Sequence, residues 1–402
     1  MKIRGTRIAI PVIILVLALL LSSNLLLRLF AVTVLLLLIS YLWAVLGARK
    51  IKVRFGKLPE YSSVGDRIHE TVSVLNDGRL PGLLLKFKEE TNIPGYYNLK
   101  ELNLKPKKSF DWSTEIYCQR RGRYLLGSGI IAAGDPFGLF SKNHKFGERH
   151  SLLVYPATVE LPFFEVGTPG VLGEGSNGLL IGQSGTNAYG VRDFVNGDSL
   201  THIHWLSTAR NGKLMVKTFD GGRASSVSEN MFIVLDMEKT VHQGTGDQST
   251  EEYAVTIAAS LARKYSDQGL GVGLIVSGNQ VLSFSPESGE EHFYRMLESL
   301  AMVRADGRTT VDQIISAKLR GVTVDYSVVV VTPATTPLLA DAVRQLRSRE
   351  IPVSVVSLDS ESFGGDNGSS DIARHLRWLG APVYVVRKGD DLCKTLDWRT
   401  MP

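Results

Sequence analysis

From Ile8 to Gly47 the chain is an almost unbroken run of Leu, Ile, Val and Ala, interrupted by Ser22-Ser23-Asn24 and by Arg28, and it holds no acid. About 20 apolar residues cross a bilayer core, so the pattern predicts two helices joined by a turn between Ser22 and Arg28, a transmembrane hairpin over residues 1–50. From residue 51 to 160 the pattern changes to short alternating segments with turn residues between them, such as Glu70–Leu75 followed by Asn76-Asp77-Gly78, then Leu83–Phe87 and Glu115–Cys118. Alternation at this spacing predicts a small antiparallel β-sandwich of immunoglobulin-like shape. Residues 161–228 open with a Gly-rich stretch, Gly167 to Gly190, and continue as a polar segment dense in Arg, His, Asp and Trp, which reads as a linker followed by a folded insertion.

From residue 229 to 402 buried-strand runs alternate with amphipathic helical stretches. Strands are predicted at Met231–Asp236, Gly271–Val276, Ser327–Val331, Val353–Ser357 and Val383–Val386, and helices at Glu251–Asp267, Glu290–Val303, Pro337–Arg349 and Asp371–Leu379. Continuous apolar strands are the mark of a sheet buried on both faces, so this part reads as an α/β domain with a mainly parallel sheet. Ser360–Ser370, rich in Gly, Ser and Asp, reads as a loop.

Charge sharpens the N-terminal reading. Lys2, Arg4 and Arg7 precede the apolar run, and Arg49, Lys50, Lys52, Arg54 and Lys57 follow it. A signal peptide would explain the first three, but a small-residue cleavage site is missing and the apolar run resumes at once. The positive-inside rule then places both ends of the hairpin, and the body after residue 50, in the cytoplasm, with the protein in the plasma (inner) membrane. The net charge of +5 belongs to this region: the first 57 residues carry nine Lys and Arg and no acid, which leaves −4 for the rest. A mildly acidic body gives no electrostatic footprint for nucleic acid. Cys118 and Cys393 are too few for a disulfide framework or a zinc site.

Three patterns bear on chemistry. Gly173-Glu174-Gly175-Ser176-Asn177-Gly178 has dinucleotide-binding spacing, but no strand precedes it and no helix follows. Neither Gly56-Lys57 nor Gly212-Lys213 continues as a P-loop, because Leu follows each. His202 and His204 would share one face of a strand and so present a possible metal pair, or simply hydrogen-bond at the surface. Asp236, at the carboxyl end of the first α/β strand, with Glu238 and Thr240 at alternating positions, offers oxygen ligands for a cation such as magnesium, or else caps the following segment. No nucleophile elbow or other catalytic signature is found, so the chain reads as non-enzymatic.

The densest stretch runs from Gly190 to Asp220 and carries Arg192, Asp193, Phe194, Gly197-Asp198, Ile203-His204-Trp205, Ser207-Thr208-Ala209-Arg210, and Leu214 to Lys217 ending at Phe219-Asp220. It resembles the signature of the domain-of-unknown-function 58 family, as do Arg121–Tyr124, Asp135–Phe140 and Val154-Tyr155-Pro156 upstream. The resemblance implies a membrane hairpin, a β-rich domain and a C-terminal domain similar to the von Willebrand factor A fold. It also implies a MoxR-type AAA+ ATPase as partner, through an adaptor or assembly role. Its candidate binding residues here are Arg192, Asp193, Gly197, Asp198, His204, Trp205, Arg210 and Lys217. The pattern departs from relatives at Thr201-His202, where paired Arg is common. The adhesion-type metal motif survives only as Asp236, Glu238 and Thr240, with Thr332-Pro333 where a third-loop acid would stand. Arg192 or Arg210 pairing with Asp198 or Asp220 would lock the insertion onto the α/β domain. The expected function is therefore a membrane-anchored, cytoplasm-facing adaptor, the alternative being a metal-dependent binding protein or enzyme using the Asp236/Glu238/Thr240 edge.

Overall fold

The computed structural model describes residues 13, 16, 24–48, 50–167, 190–193, 204–218 and 230–400. The chain divides into two compact units, Met1–Ala157 and Thr158–Pro402.

The first unit begins with helix α1, Asn24–Ala48, whose segment Leu27–Gly47 is long and apolar enough to cross a membrane. Asn24 and Arg28 are helical, so the chain does not turn between them, and one such helix is present among the described residues, which leaves the predicted two-helix hairpin without support. A lone Arg in an apolar helix is tolerated because its long stem lets the charge reach a polar boundary. Most of the predicted first helix falls outside the described residues, Ile13 and Val16 being helical. Inside α1 the Thr33 hydroxyl donates to the Leu29 carbonyl at 2.8 Å and so is itself paired on an apolar face. The last two turns pack on the β-sheet strands that follow, with Ser40 and Ala44 buried and Tyr41 edge-on to Phe140 at 5.9 Å.

Ten strands complete this unit: β1 (Ile51–Phe55), β2 (Tyr61–Ser63), β3 (Arg67–Asn76), β4 (Gly82–Glu89), β5 (Leu99–Leu104), β6 (Ser109–Tyr117), β7 (Gly122–Leu126), β8 (Gly129–Gly134), β9 (Ser141–Phe146) and β10 (His150–Tyr155). They form sheets in the orders β1-β3-β6, β2-β10-β7 and β5-β4-β8-β9. Alternating residues of β3 point inward, where Val72 and Val74 meet Leu85, Phe87, Leu104 and Ile131 of the facing sheet. The expected purely antiparallel arrangement is modified at β2, which runs parallel to β10. A parallel pair needs a long crossover, and here most of the unit lies between the two strands. A buried polar cluster sits beside this core. Tyr96 Oη donates to Glu70 at 2.6 Å, Asn98 Nδ2 donates to Glu70 at 3.3 Å and to Glu89 at 3.1 Å, and the Gly127 N–H donates to Glu89 at 3.0 Å.

In the second unit, β11 (Gly190–Asp193) pairs antiparallel with β12 (Met215–Thr218), and the short helix α2 (Trp205–Asn211) lies between them. The α/β part follows as β13 (Asn230–Leu235), the two-residue strands β14 (Gly244–Thr245) and β15 (Gln248–Ser249), α3 (Thr250–Asp267), β16 (Gly271–Ser277), β17 (Val281–Glu287), α4 (Glu290–Met302), α5 (Val311–Lys318), β18 (Tyr326–Thr332), α6 (Pro337–Ser348), β19 (Val353–Leu358), α7 (Ser370–Trp378), β20 (Val383–Val386) and α8 (Leu392–Thr395). The main sheet has the order β17-β16-β13-β18-β19-β20, and every pairing is parallel except that of β17 with β16.

Its strands are apolar throughout because both faces are covered. Val234, Ile275, Val328, Val330 and Val355 pack under α5, α6 and α7, while α3 lies along β13, β16, β18 and β19 with α4 against it. Helix α3 starts with a side-chain cap, in which Ser249 Oγ accepts from the Glu252 N–H at 3.3 Å. Residues 161–165, expected to begin a linker, and Val159 just before them are strapped to the α/β core. The Val159 N–H donates to Ser260 Oγ at 2.9 Å, and Phe164 stacks on Tyr384 at 4.6 Å.

Candidate functional site

In an open α/β sheet, ligands gather at the carboxyl ends of the strands where the order reverses, because there the connections leave toward opposite faces. Here that point lies between β13 and β18, and three short polar side chains meet at it. Asp236 follows the last residue of β13, Ser277 closes β16 and Thr332 closes β18. One oxygen of Asp236, Oδ1, accepts from the Glu238 N–H at 3.0 Å and from Ser277 Oγ at 3.1 Å. The other, Oδ2, accepts from Thr332 Oγ1 at 2.6 Å. Both hydroxyls are used twice, since Ser277 Oγ accepts from the Met237 N–H at 2.6 Å and Thr332 Oγ1 from the Ala334 N–H at 2.8 Å.

Asp236 is wholly buried. Burial pushes its carboxyl above the ordinary range, opposed by the Thr332 hydroxyl, the Glu238 N–H, His242 and the Ser277 hydroxyl. His242 closes the lattice from the next loop: its Nε2 lies 2.8 Å from the Asp236 carbonyl, which can only accept, so Nε2 is the donor. Its Nδ1 lies 3.0 Å from Thr250 Oγ1 at the start of α3. A further segment crosses the edge at Gly307, whose N–H donates to the Met237 carbonyl at 2.9 Å and whose carbonyl accepts from the Lys239 N–H at 3.0 Å. Beyond β19, Asp359 accepts from the Ser369 N–H at 2.8 Å and lies 3.4 Å from the Arg387 guanidinium.

Of the three oxygen-bearing residues the sequence points to, Asp236 is thus engaged by three donors. Glu238 is half-buried and accepts from the hydroxyl of exposed Thr240. A cation would have to displace those donors, and among the described residues no group of three or more His, Cys, Asp or Glu is placed to hold a metal ion. The chemistry this arrangement performs is positional: it fixes the loops after β13, β16 and β18 against one another and leaves Lys239 and Thr240 on an exposed rim. The sequence does not single out Ser277, Thr332 or His242 as partners of Asp236. Ser277 and Thr332 do carry a signal, since each closes an apolar strand run.

The signature segment resolves partly. His204 caps α2, its Nδ1 accepting from the Ser207 N–H at 3.1 Å, and its own N–H donates to the Met215 carbonyl at 2.8 Å. The Met215 N–H in turn donates to Thr208 Oγ1 at 3.0 Å, so α2 and β12 are stitched together by signature residues. Gly212 ends the helix with φ 65°, a left-handed conformation that favours glycine. Arg210 is exposed in the last turn. Arg192 and Asp193 lie on β11 opposite Val216 and Met215, and Lys217 on β12 opposite Val191. Trp205 begins α2. Gly197, Asp198, His202 and Asp220 lie outside the described residues, as does the Gly-rich 173–178 segment.

Comparison with known proteins agrees with the signature. The chain is 26% identical over 213 residues to the uncharacterized protein YeaD of Bacillus subtilis (strain 168), a match over 53% of this chain that spans about half, 50%, of that protein. Solved structures with partial likeness include proximal thread matrix protein 1 from the mussel byssus, 12% identical, covering 42% of this chain and 46% of that one with a TM-score of 0.32. Another is the CARDB domain of PF1109 from Pyrococcus furiosus, 16% identical, covering 26% and 94% with a TM-score of 0.21. Similarity at that level carries no functional argument. The model of the family described as "Protein of unknown function DUF58" matches residues 190–362, from β11 through the switch-point loops to the loop after β19.

Proposed function

We propose that the protein is a membrane-anchored, non-enzymatic adaptor whose α/β domain docks a soluble partner at the carboxyl edge of its sheet. The observation that carries this reading is the filled hydrogen-bond lattice around buried Asp236, which holds the strand-end loops still beneath an exposed rim. A reactive centre needs an accessible acid, base or nucleophile; a docking surface needs rigid loops. The strand order, with one antiparallel edge strand, supports a von Willebrand factor A-like reading of this domain, and the facing sheets of the first unit support an immunoglobulin-like one. Helix α1 is the anchor, and Lys50, Lys52, Arg54 and Lys57 directly after it favour a cytoplasmic body. A MoxR-type AAA+ ATPase is the partner that the resemblance of the signature favours.

The test is affinity purification from crosslinked native membranes with nucleotide hydrolysis blocked, comparing wild type with Lys239→Glu/Thr240→Arg. Both changes sit on the rim and leave the Asp236 lattice alone. An AAA+ ATPase enriched by wild type and lost with the variant is the expected result; recovery of no ATPase by either protein sinks the adaptor reading.

A further inference from the structure

At the foot of α1 three chain segments meet around buried Asn76. Its amide Nδ2 donates to the Leu80 carbonyl at 2.9 Å and the Leu104 carbonyl at 3.3 Å, while its Oδ1 accepts from the Gly78 N–H at 2.9 Å. The β3–β4 turn is thereby tied to the end of β5. The Asp77 N–H donates to the Lys50 carbonyl at 2.9 Å and the Lys107 N–H to the Asn76 carbonyl at 2.9 Å, which brings in the exit of α1 and the β5–β6 turn. Lys107 adopts φ 58°, an uncommon left-handed conformation for a side-chain-bearing residue. It is held there by Nζ bonds to the Asp77 carbonyl at 2.8 Å and carboxylate at 2.7 Å.

These ties frame a cleft of about 510 Å³ lined by Leu46, Gly47, Lys50, Asp77, Arg79 and Lys107. Its one acid, Asp77, is already paired with Lys107 at 2.7 Å and Lys52 at 3.0 Å. Lys50 and Arg79 are exposed and make no ion pair among the described residues. The cleft therefore has surplus positive charge on one wall and, on the other, the last turn of a helix suited to a bilayer.

We propose that this cleft binds the phosphate headgroup of an anionic membrane lipid, with Lys50 and Arg79 as the cations that face it and the acyl chains lying along α1. The location argues for a lipid rather than a free phosphate, because the apolar wall is continuous with the candidate span Leu27–Gly47. A guanidinium and an ammonium within one cleft match a phosphodiester, the first by forked hydrogen bonds and the second as a point charge. Cations directly beyond a membrane helix are where anionic headgroups lie. The proposal rests on α1 being a membrane anchor.

The experiment uses the full-length protein in mild detergent, titrated with phosphatidylglycerol, phosphatidylcholine and inorganic phosphate and read by native mass spectrometry. The expected result is saturable phosphatidylglycerol binding, weaker phosphatidylcholine binding and no retention of inorganic phosphate. Lys50→Gln/Arg79→Gln should weaken phosphatidylglycerol binding roughly thirtyfold, while the charge-matched Lys88→Gln/Lys100→Gln, on exposed strand positions elsewhere, should leave it unchanged. Equal binding of both lipids, or equal loss in both variants, overturns the proposal, as does preference for inorganic phosphate. Extraction of wild type from native membranes by alkaline carbonate is scored separately: release would overturn the anchor, while the titration still reads the cleft.

Discussion

Two buried acids show how the same residue type is handled differently. Asp236 is surrounded by donors that act against the upward push of its burial, whereas Glu89 has a second carboxylate, Glu70, as its neighbour. Burial, and then the Glu70 charge, raise Glu89 from about 4.5 to about 7, against the Gly127 N–H and Asn98, which act the other way. The folded state thus binds a proton that the unfolded chain releases more readily. Stability from this group is full below the ordinary glutamate range and is lost as pH rises toward 7. Wild type should lose on the order of 1 kcal/mol between about pH 5 and pH 8, once solvent screening is allowed for. Glu89→Gln, which cannot ionise, should flatten that slope. Urea midpoints measured across the range decide it, and parallel slopes for the two proteins would show that Glu89 is not the titrating group.

At the scale of elements, the carboxyl edge depends on a crossing that only glycine permits. A Cβ on Gly307 would lie 2.0 Å from the Ser277 carbonyl oxygen and 2.8 Å from that of Met237. These are backbone atoms of β16 and of the loop after β13, so the segment at 307 would have to lift off and give up both of its hydrogen bonds to that loop. Gly307→Ala should cost about 2–3 kcal/mol, while Gly321→Ala, with open space around its Cβ, should be near neutral in the same denaturation series.

The strands and helices that meet at this edge were legible in sequence, because parallel strands buried on both faces read as apolar runs and their helices carry caps and amphipathic spacing. The edge strand β17 was not read: its positions alternate between exposed and half-buried, and it contains Pro286. Asp236 could be found from its place after a strand, but Ser277 and Thr332 lie 41 and 96 residues away, and nothing local announces such a pairing. In α1 the polar interruptions at Asn24 and Arg28 imitate a turn, although a helix exposed along most of its length carries them without breaking.

For the whole chain, the second compact unit closes its own core, and residues 159–165 belong to that closure. Lys264 is half-buried on α3, and burial lowers its ammonium to about 8. Its compensation comes from this strap, because Nζ donates to the Leu161 carbonyl at 2.7 Å and the Phe164 carbonyl at 2.5 Å. Phe164 is almost fully buried on Tyr384, and Arg399 lies over the Phe163 ring at 3.3 Å from its centroid. A fragment spanning 158–402 should therefore unfold in one cooperative transition, seen at the same urea concentration by circular dichroism and fluorescence. Starting instead at residue 168 removes the Phe164 packing and leaves the Lys264 charge without its acceptors, which should cost about 3–5 kcal/mol. Equal midpoints for the two fragments would mean that the strap contributes nothing to the fold, whereas a shorter fragment that is destabilised and regains part of the loss on Lys264→Met would assign that part to the stranded charge.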